Sequence, residues 1–286
     1  MWLAEDAWRA PIGDFPPCWA SAWGDDSYGL WADLAIDGIS QRMRWIEPSG
    51  PEGFWMGASQ AERNAIKGNA VRDLANQYEH EPRCVVVQEG FWLADTPCTQ
   101  ALWRAVTGEN PSHFQVQPDA FERPVEQVSW NDVMNKFIAG FIATPEWGTM
   151  DRLCLPTEEQ WEYAARAGSR SAYWWGDTPD DARANWNRLH GGTTAVKRFS
   201  PNPWGLFDMH GNVWEWCADR WQPRLGARPD LKRRVLRGGA WFDIPSSARA
   251  AHRFRWECAD ANRYQGFRFA MRSPCGPQAR GGGASR

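Results

Sequence analysis

Tryptophan is the residue type that most constrains the fold of this chain, because 21 of its 286 residues are Trp, against 13 Phe and 5 Tyr. Each buried indole brings an N–H group that needs an acceptor, so a core built from these rings must contain polar partners or leave ring edges near water. Large, rigid, amphipathic rings also contribute strongly to recognition surfaces. The composition therefore predicts a globular protein with polar groups inside an aromatic core, and it favours a binding surface.

The overall composition narrows the class of protein and its partners. Hydrophobic residues make up 43% and charged residues 23% of the chain, which excludes a wholly disordered protein. The formal net charge of -3 gives no general attraction to nucleic acid or anionic lipid. No run of about 18 apolar residues is available to span a bilayer. We expect a protein or other ligand as the partner, with no membrane and no nucleic acid.

Cysteine usage and the first residues predict a compartment. The 7 cysteines are odd in number, form no CxxC pair, and make no Cys/His grouping with zinc spacing. The first ten residues, MWLAEDAWRA, carry acidic side chains where a signal peptide has a basic head and an apolar run. We therefore expect a cytoplasmic protein with reduced thiols.

The chain is predicted to divide into three parts. Residues 1–39 are expected to form an N-terminal extension that packs on the main domain, residues 40–272 form that domain, and residues 273–286 form a flexible tail rich in Gly and Pro.

Local patterns predict the secondary structure of the main domain. Residues 41–57 alternate around a Pro/Gly turn and predict a β-hairpin, and a second strand pair is predicted around Glu89-Gly90. Residues 58–82 are polar and predict a surface excursion. Residues 169–235 favour turns and short strands, and the basic run at 232–237 predicts a strand at a sheet edge. Three helices are also predicted, with Thr96, Ser129 and Thr157 as their N-caps. Asp132 and Gln160 occupy the third helical position of the second and third helices, and Gly108 and Gly168 end the first and the third.

Four motifs occur in one order along the main domain: RLCLPTEEQWEYAARAG, GLFDMHGNVWEWCAD, LRGGAWF and GFRFAMR. This series resembles the formylglycine-generating enzyme, or sulfatase-modifying-factor, family over residues 42–272. The resemblance implies an α+β domain of C-type-lectin-like type, with short twisted strands, few helices and much irregular structure.

The resemblance also implies a structural calcium ion at the GLFDMHGNVWEW motif. Its ligands would be Asp208, Gly211, Val213 and Glu215, with backbone carbonyl oxygens from the middle two. Oxygen ligands suit such a hard cation. The alternative is that Asp208 and Glu215 accept hydrogen bonds from loop amides.

Active members of the family hold copper through two cysteines that follow the RGG motif. The corresponding positions in this chain are Asp243 and Ala248. Because neither residue can supply the thiolate that copper(I) prefers, no copper is expected. Cys217 and Cys258 are the nearest thiols in sequence and lack the required spacing. The alternative is a metal-dependent oxidoreductase with a non-standard site.

The same fold also serves non-catalytic ligand-binding proteins whose surface is diversified by retroelements. There the segment between RGG and the final GFR carries the variable surface, and the resemblance places that surface at residues 241–264. Framework-like residues would be Arg249, Ala251, Arg253 and 266–268, with Trp241 in the core and Trp256 near the surface. We predict a non-catalytic ligand-binding protein whose contact residues are Phe242, Asp243, Ile244, Ser246, Ser247, His252, Phe254, Arg255, Trp256, Asp260, Asn262 and Tyr264.

Overall fold

The computed structural model describes residues 9–11, 15–66, 68–143, 153–224 and 226–272, so the predicted tail lies outside the described residues. The strands are β1 (Ala22–Asp26), β2 (Gly29–Ile36), β3 (Ile39–Ile46), β4 (Phe54–Met56), β5 (Arg83–Val85), β6 (Phe91–Ala94), β7 (Leu153–Cys154), β8 (Trp214–Arg220), β9 (Arg233–Arg237), β10 (Arg253–Glu257), β11 (Gln265–Gly266) and β12 (Ala270–Arg272). The helices are α1 (Gln60–Asn64), α2 (Asn69–Tyr78), α3 (Gln100–Thr107), α4 (Trp130–Asp132), which continues through a π-helical turn (Val133–Ile138) into α5 (Ala139–Ala143), and α6 (Glu158–Arg166), with 3₁₀ turns at Ala120–Glu122 and Pro245–Ala248.

The strands form three sheets whose order does not follow the chain. The largest sheet has the order β1-β2-β3-β6-β12-β7, the second has the order β10-β9-β8-β11, and β4 pairs with β5 alone. Residues 22–36 supply β1 and β2, and β2 pairs with β3 in continuous antiparallel register. The main sheet therefore begins inside the segment that was predicted to be an N-terminal extension.

Both predicted hairpins are wrong in their pairing. β3 pairs with β2 and β6, whereas β4 pairs with β5 in a separate sheet. β6 pairs with β3 and β12 and not with β5. All four residues of β6 are buried. A strand without a solvent-facing residue is found inside a sheet, where distant segments rather than a local turn select its partners.

The capping residues position the helices mostly as predicted. The capping boxes at Ser129 and Thr157 are confirmed, each with reciprocal bonds to the third helical residue. The N-cap of α3 is Thr99, whose hydroxyl accepts a backbone N–H three residues on at 3.2 Å. The predicted cap, Thr96, is wrong because its hydroxyl accepts instead from the Gln41 side chain at 3.3 Å.

Two further segments are more deeply built into the fold than their polarity predicts. Residues 58–82 contain α1 and α2, and Arg63 and Glu79 within them are buried. The basic run at 232–237 is not an edge, because β9 lies between β8 and β10 and its Arg237 is fully buried. Charged side chains in both segments are therefore buried and form part of the protein interior.

The aromatic core contains polar partners for several of its indoles, although the buried Trp103 Nε1 has no partner among the described residues. The indole N–H of Trp161 donates to the Glu215 carboxylate at 2.7 Å, and that of Trp216 donates to the carbonyl of Val128 at 2.9 Å. This prediction is confirmed for these two rings, both of which are fully buried.

Within the described residues, no helix is both long and apolar enough to cross a bilayer.

Candidate ligand-binding surface

The segment 241–264 follows a backbone turn that only glycine tolerates. Gly238 and Gly239 have φ values of 94° and 74°. A Cβ atom on Gly239 would lie 2.9 Å from the Cα atom of Ala248, so a larger residue would push the segment away. After the 3₁₀ turn the chain enters β10, which pairs antiparallel with β9. The segment is thus fixed to the body of the protein at its start and in its middle.

Buried arginines anchor the same segment through ion pairs. Arg249 donates to Glu62 at 2.8 Å and to Glu79 at 3.1 Å. Arg253 makes a two-pronged contact with Glu158 at 2.6 and 2.7 Å. All these arginine nitrogens bond carboxylates in a region with little solvent, where charge-assisted bonds are strongest. Both arginines are buried, which agrees with the framework role predicted for Arg249 and Arg253.

Arg237 of β9 fixes the main chain between those two arginines. Its guanidinium donates to the carbonyl oxygens of residues 250–252 at 2.7 to 3.0 Å and pairs with Glu162. A buried cation that donates to three carbonyls and a carboxylate holds that stretch in one conformation, although Nε of Arg237 has no partner among the described residues. The segment 241–264 is therefore a rigid platform in its middle third.

Two predicted contact residues belong to this support and not to the surface. His252 and Ser247 are only 3% and 8% exposed. The Nδ1 atom of His252 lies 2.8 Å from Glu79 Oε1. Burial alone would raise the pKa of Glu79, but the bonds and charges of His252 and Arg249 outweigh it and lower that pKa to about 2. The surface position predicted for His252 and Ser247 is corrected: both residues are buried, and the hydrogen bond to Glu79 holds the imidazole inside.

Four predicted contact residues form one continuous, partly exposed patch, here called the aromatic surface: Phe242, Phe254, Trp256 and Tyr264. The ring centroids of Phe242 and Tyr264 are 4.7 Å apart, those of Trp256 and Tyr264 are 6.2 Å apart, and those of Phe254 and Trp256 are 5.8 Å apart. Residues 22 positions apart thus meet in one patch. Trp241 is buried and Trp256 is partly exposed, which confirms both predictions.

A cavity of about 490 Å³ opens beside the aromatic surface. The guanidinium of Arg255 lies 4.3 Å from the ring centroid of Tyr78, a cation–π contact that links β10 to α2. Aromatic rings and an arginine around a concave surface are the usual anchors of protein recognition. The described lining residues are Leu74, Tyr78, Arg233, Phe254, Arg255, Trp256, Glu257 and Asp260.

A second, larger cavity of about 920 Å³ collects two other predicted contact residues, Ile244 and Ser246. Ile66 from the loop after α1 and Tyr173 line it as well, and Arg249 closes one side. Ile244 is 40% exposed, which is high for an isoleucine on a concave surface. Two of the predicted contact residues therefore line this larger cavity, and four others, Phe254, Arg255, Trp256 and Asp260, line the smaller one.

Asn262 has a partly structural role. Its side chain donates to Gln265 Oε1 at 3.3 Å, and its carbonyl oxygen accepts from the backbone N–H groups of Gln127 and Gln265. These bonds hold the turn that places Tyr264 on the aromatic surface.

The two positions that correspond to copper-binding cysteines are built into the scaffold. Asp243 Oδ2 accepts from the Trp214 indole at 2.8 Å and from the Ala240 backbone N–H at 3.0 Å. Burial raises the pKa of Asp243 to about 6. Ala248 is 1% exposed and packs in a cluster that contains Trp186. The carboxyl group therefore orders a turn, and the methyl group fills an aromatic cluster.

The thiols of the described residues do not replace that pair. Cys217 is buried, and burial raises the pKa of its thiol well above the usual value. Such a thiol is a poor source of thiolate. Cys258 is partly buried and free. Across the ranges that the structure describes, no three His, Cys, Asp or Glu side chains converge as metal ligands do.

The predicted calcium ligands include one carboxylate that is already engaged. Glu215 accepts two bonds from Arg268 at 2.6 and 2.7 Å and one from the Trp161 indole at 2.7 Å. In this geometry Glu215 does not fit a calcium ligand, since both of its oxygens face donors. Calcium at Asp208, Gly211, Val213 and Glu215 stays a prediction that would require Glu215 to leave Arg268.

Sequence reasoning missed the contribution of α1 and α2 to the site. Glu62, Ile66, Leu74 and Tyr78 line one or other cavity, yet they lie in the segment read as a surface excursion. The available signal was the spacing of Leu74 and Tyr78, which are four residues apart and so share one helix face.

Comparison with known proteins establishes the family. The model of the Sulfatase-modifying factor enzyme 1-like domain matches residues 54–273. The chain belongs to this family. The predicted α+β, C-type-lectin-like fold of the formylglycine-generating enzymes is confirmed.

Relatives of the chain include both active and inactive enzymes by name. It is 35% identical over 180 residues to the inactive C-alpha-formylglycine-generating enzyme 2 of Bos taurus, covering 58% of this chain and 51% of that one. It is 37% identical over 152 residues to the formylglycine-generating enzyme of Thermomonospora curvata, covering 48% and 44%. The chain spans about half the length of the curated relatives it matches.

Solved structures support the fold. Treponema denticola variable protein 1 is 25% identical with a TM-score of 0.66, and the match covers 85% of this chain and 99% of that one. PvdO from Pseudomonas aeruginosa is 22% identical with a TM-score of 0.62, covering 88% and 98%, and shows the fold alone.

Proposed function

We propose that this member of the sulfatase-modifying-factor family is a non-catalytic ligand-binding protein, and that it binds a protein or other ligand through residues 241–264. The observation that carries the proposal is the aromatic surface itself. Phe242, Phe254, Trp256 and Tyr264 are partly exposed together on a segment whose neighbouring backbone is fixed by buried arginines. A rigid aromatic patch beside two recesses loses little conformational entropy when it binds.

The residues at the copper positions support the same proposal. Asp243 is committed to the Trp214 indole, and Ala248 contributes only a methyl group to the aromatic cluster. Neither side chain can supply a thiolate for copper(I). The similarity to a relative named as inactive is consistent with this proposal.

The binding proposal is tested by comparing three forms of the protein as bait for proteins of the source organism. The test variant is Phe242→Ala/Trp256→Ala/Tyr264→Ala. The matched control, Val116→Ala/Phe121→Ala/Leu231→Ala, removes three hydrophobic side chains that are 87%, 52% and 62% exposed elsewhere. We expect a specific partner to be recovered by the wild type and the control and lost by the test variant. Equal recovery by all three forms would contradict the proposal.

The non-catalytic part is tested with oxygen uptake. Copper-supplemented protein and a cysteine-containing peptide are expected to consume no oxygen above the metal-only blank. Turnover that disappears in Cys217→Ala or Cys258→Ala would instead support the alternative, an oxidoreductase with a non-standard metal site.

We propose further that the surface at 241–264 is diversified by a retroelement. The similarity to a protein named as variable supports this part, as does the separation of framework arginines from partly exposed contact residues in the segment. Adenine-biased divergence between codons 242–264 and a nearby template copy would establish it. A genome without such a copy would remove it and leave the binding proposal standing.

A further inference from the structure

A third cavity, which contains no residue of the proposed binding surface at 241–264, is lined by aromatic rings and acidic side chains. Its volume is about 440 Å³. The rings come from the turn between β1 and β2, from β3, from α6 and from a turn near residue 204, so four separate parts of the chain contribute one ring each. The six residues that carry the argument are Asp25, Tyr28, Trp45, Glu47, Tyr163 and Trp204.

The rings are held in fixed positions around this recess. Trp45 and Tyr163 are 6% and 8% exposed. The rings of Tyr163 and Trp204 meet edge to face, with centroids 4.7 Å apart and planes at 69°. The Trp45 indole N–H donates to the carbonyl of Arg9 at 2.6 Å, which fixes the ring orientation. The walls are therefore formed before any ligand enters.

The carboxylates of Asp25 and Glu47 line the recess, and no Lys or Arg is among its described lining residues. Arg9 lies at the rim, with Nη1 3.8 Å from Glu47 Oε2. Burial and the negative charge of Glu47 raise the pKa of the Tyr163 hydroxyl to about 12, against the opposing charge of Arg9. The two carboxylates therefore supply the attraction for a cation, and Arg9 opposes it from the rim.

We infer that this cavity binds a quaternary or methylated ammonium group. Aromatic faces attract such cations, because the ring quadrupole presents negative charge and the methyl groups are weakly hydrated. The carboxylates add long-range attraction without requiring a direct hydrogen bond, which a quaternary ammonium cannot donate. A primary ammonium would lose more hydration on entering an aromatic recess. This inference is independent of the proposed function at 241–264.

The test is a calorimetric titration of the full chain with choline and with its uncharged tert-butyl isostere, in which carbon replaces the ammonium nitrogen. We expect saturable binding of choline and much weaker binding of the isostere. Trp204→Ala is expected to weaken choline binding about tenfold, the scale of one desolvated cation–π contact. Glu47→Gln is expected to weaken it as well, and this variant guards against a folding defect in Trp204→Ala.

Trp55→Ala serves as the control, because it removes a 43% exposed indole outside the cavity and is expected to leave choline binding unchanged. Titrating Arg9→Gln as well distinguishes a missing site from one covered by the Arg9 side chain. Absence of choline binding in both the wild type and Arg9→Gln would overturn the inference. Equal affinity for choline and the isostere, or for choline and methylammonium, would overturn it too.

Discussion

Glu126 provides a test of how this fold treats a buried charge. Its side chain is 0% exposed, Oε1 accepts from the Phe114 backbone N–H at 2.9 Å, and Oε2 has no hydrogen-bond partner among the described residues. Burial raises its pKa from the ordinary value of 4.5 to about 7, although the amides of His113 and Phe114 and the charge of Arg263 act in the opposite direction. The ionised form is therefore disfavoured in the folded protein.

The sign and size of the effect follow from proton linkage. Because the folded state holds this proton more tightly than the unfolded state, the contribution of Glu126 to stability is greatest below about pH 4.5, falls as the pH rises from there to about 7, and is constant above it. The difference between the two pKa values corresponds to about 3 kcal/mol. Glu126→Gln removes the titration, so its stability relative to the wild type should rise by about 3 kcal/mol across this range.

The assay is urea unfolding of the wild type and Glu126→Gln at a series of pH values. Taking the difference between the two proteins cancels other titrating groups, such as Asp243. The exposed Glu122→Gln serves as the control and should show no comparable pH dependence. A Glu126→Gln difference that is independent of pH would refute the conclusion that this carboxyl is buried without compensation.

Three other predictions concern the buried ion pair of Glu158, the helix cap at Thr157 and the loop that was predicted to bind calcium. Glu158→Gln should destabilise the protein by about 3–5 kcal/mol in urea unfolding, because it leaves Arg253 buried and unpaired; a loss below about 1 kcal/mol would contradict that. The charges of Arg253 and neighbouring groups outweigh burial and lower the pKa of Glu158 to about 2, so the wild type should lose this stability as the pH falls from about 4.5 toward 2, and Glu158→Gln should not. Thr157→Ala should cost about 1 kcal/mol through loss of the helix cap, whereas Thr157→Ser should retain it. The calcium prediction requires that calcium added to metal-stripped protein give heat and raise the melting temperature; no heat and no rise would end it and would agree with Glu215 being held by Arg268.

The parts of the fold that were predictable from the sequence are those governed by short-range chemistry or by long motifs. The capping boxes at Ser129 and Thr157 depend on residues three positions apart, and the sequence contains both partners. The four ordered motifs determined the family and its fold class. Strand pairing was not predictable in this way, because β6 takes its partners from segments about 50 residues before it and about 180 residues after it. Pairing over such distances depends on the whole packed structure.

The candidate binding site also contains residues that were predictable from the sequence and residues whose position depends on long-range contacts. Phe242, Trp256 and Tyr264 were predicted from their place between the RGG and GFR motifs, through the family resemblance, and the structure brings their rings together. His252 was assigned to the surface because nothing nearby in the sequence indicates its partner. Glu79 is 173 positions away and becomes a neighbour only when α2 packs on β10. A histidine in a polar segment can therefore be assigned to the surface or the interior only when its long-range contacts are known.

The central claim concerns where the ligand sits, and hydrogen–deuterium exchange tests it most directly. A partner captured by the wild-type chain is added back, and amide exchange is compared with and without it. The account predicts slower exchange in residues 241–264 and in α2, which lines the neighbouring recess. Protection confined to other parts of the chain, with unchanged exchange across 241–264, would contradict it.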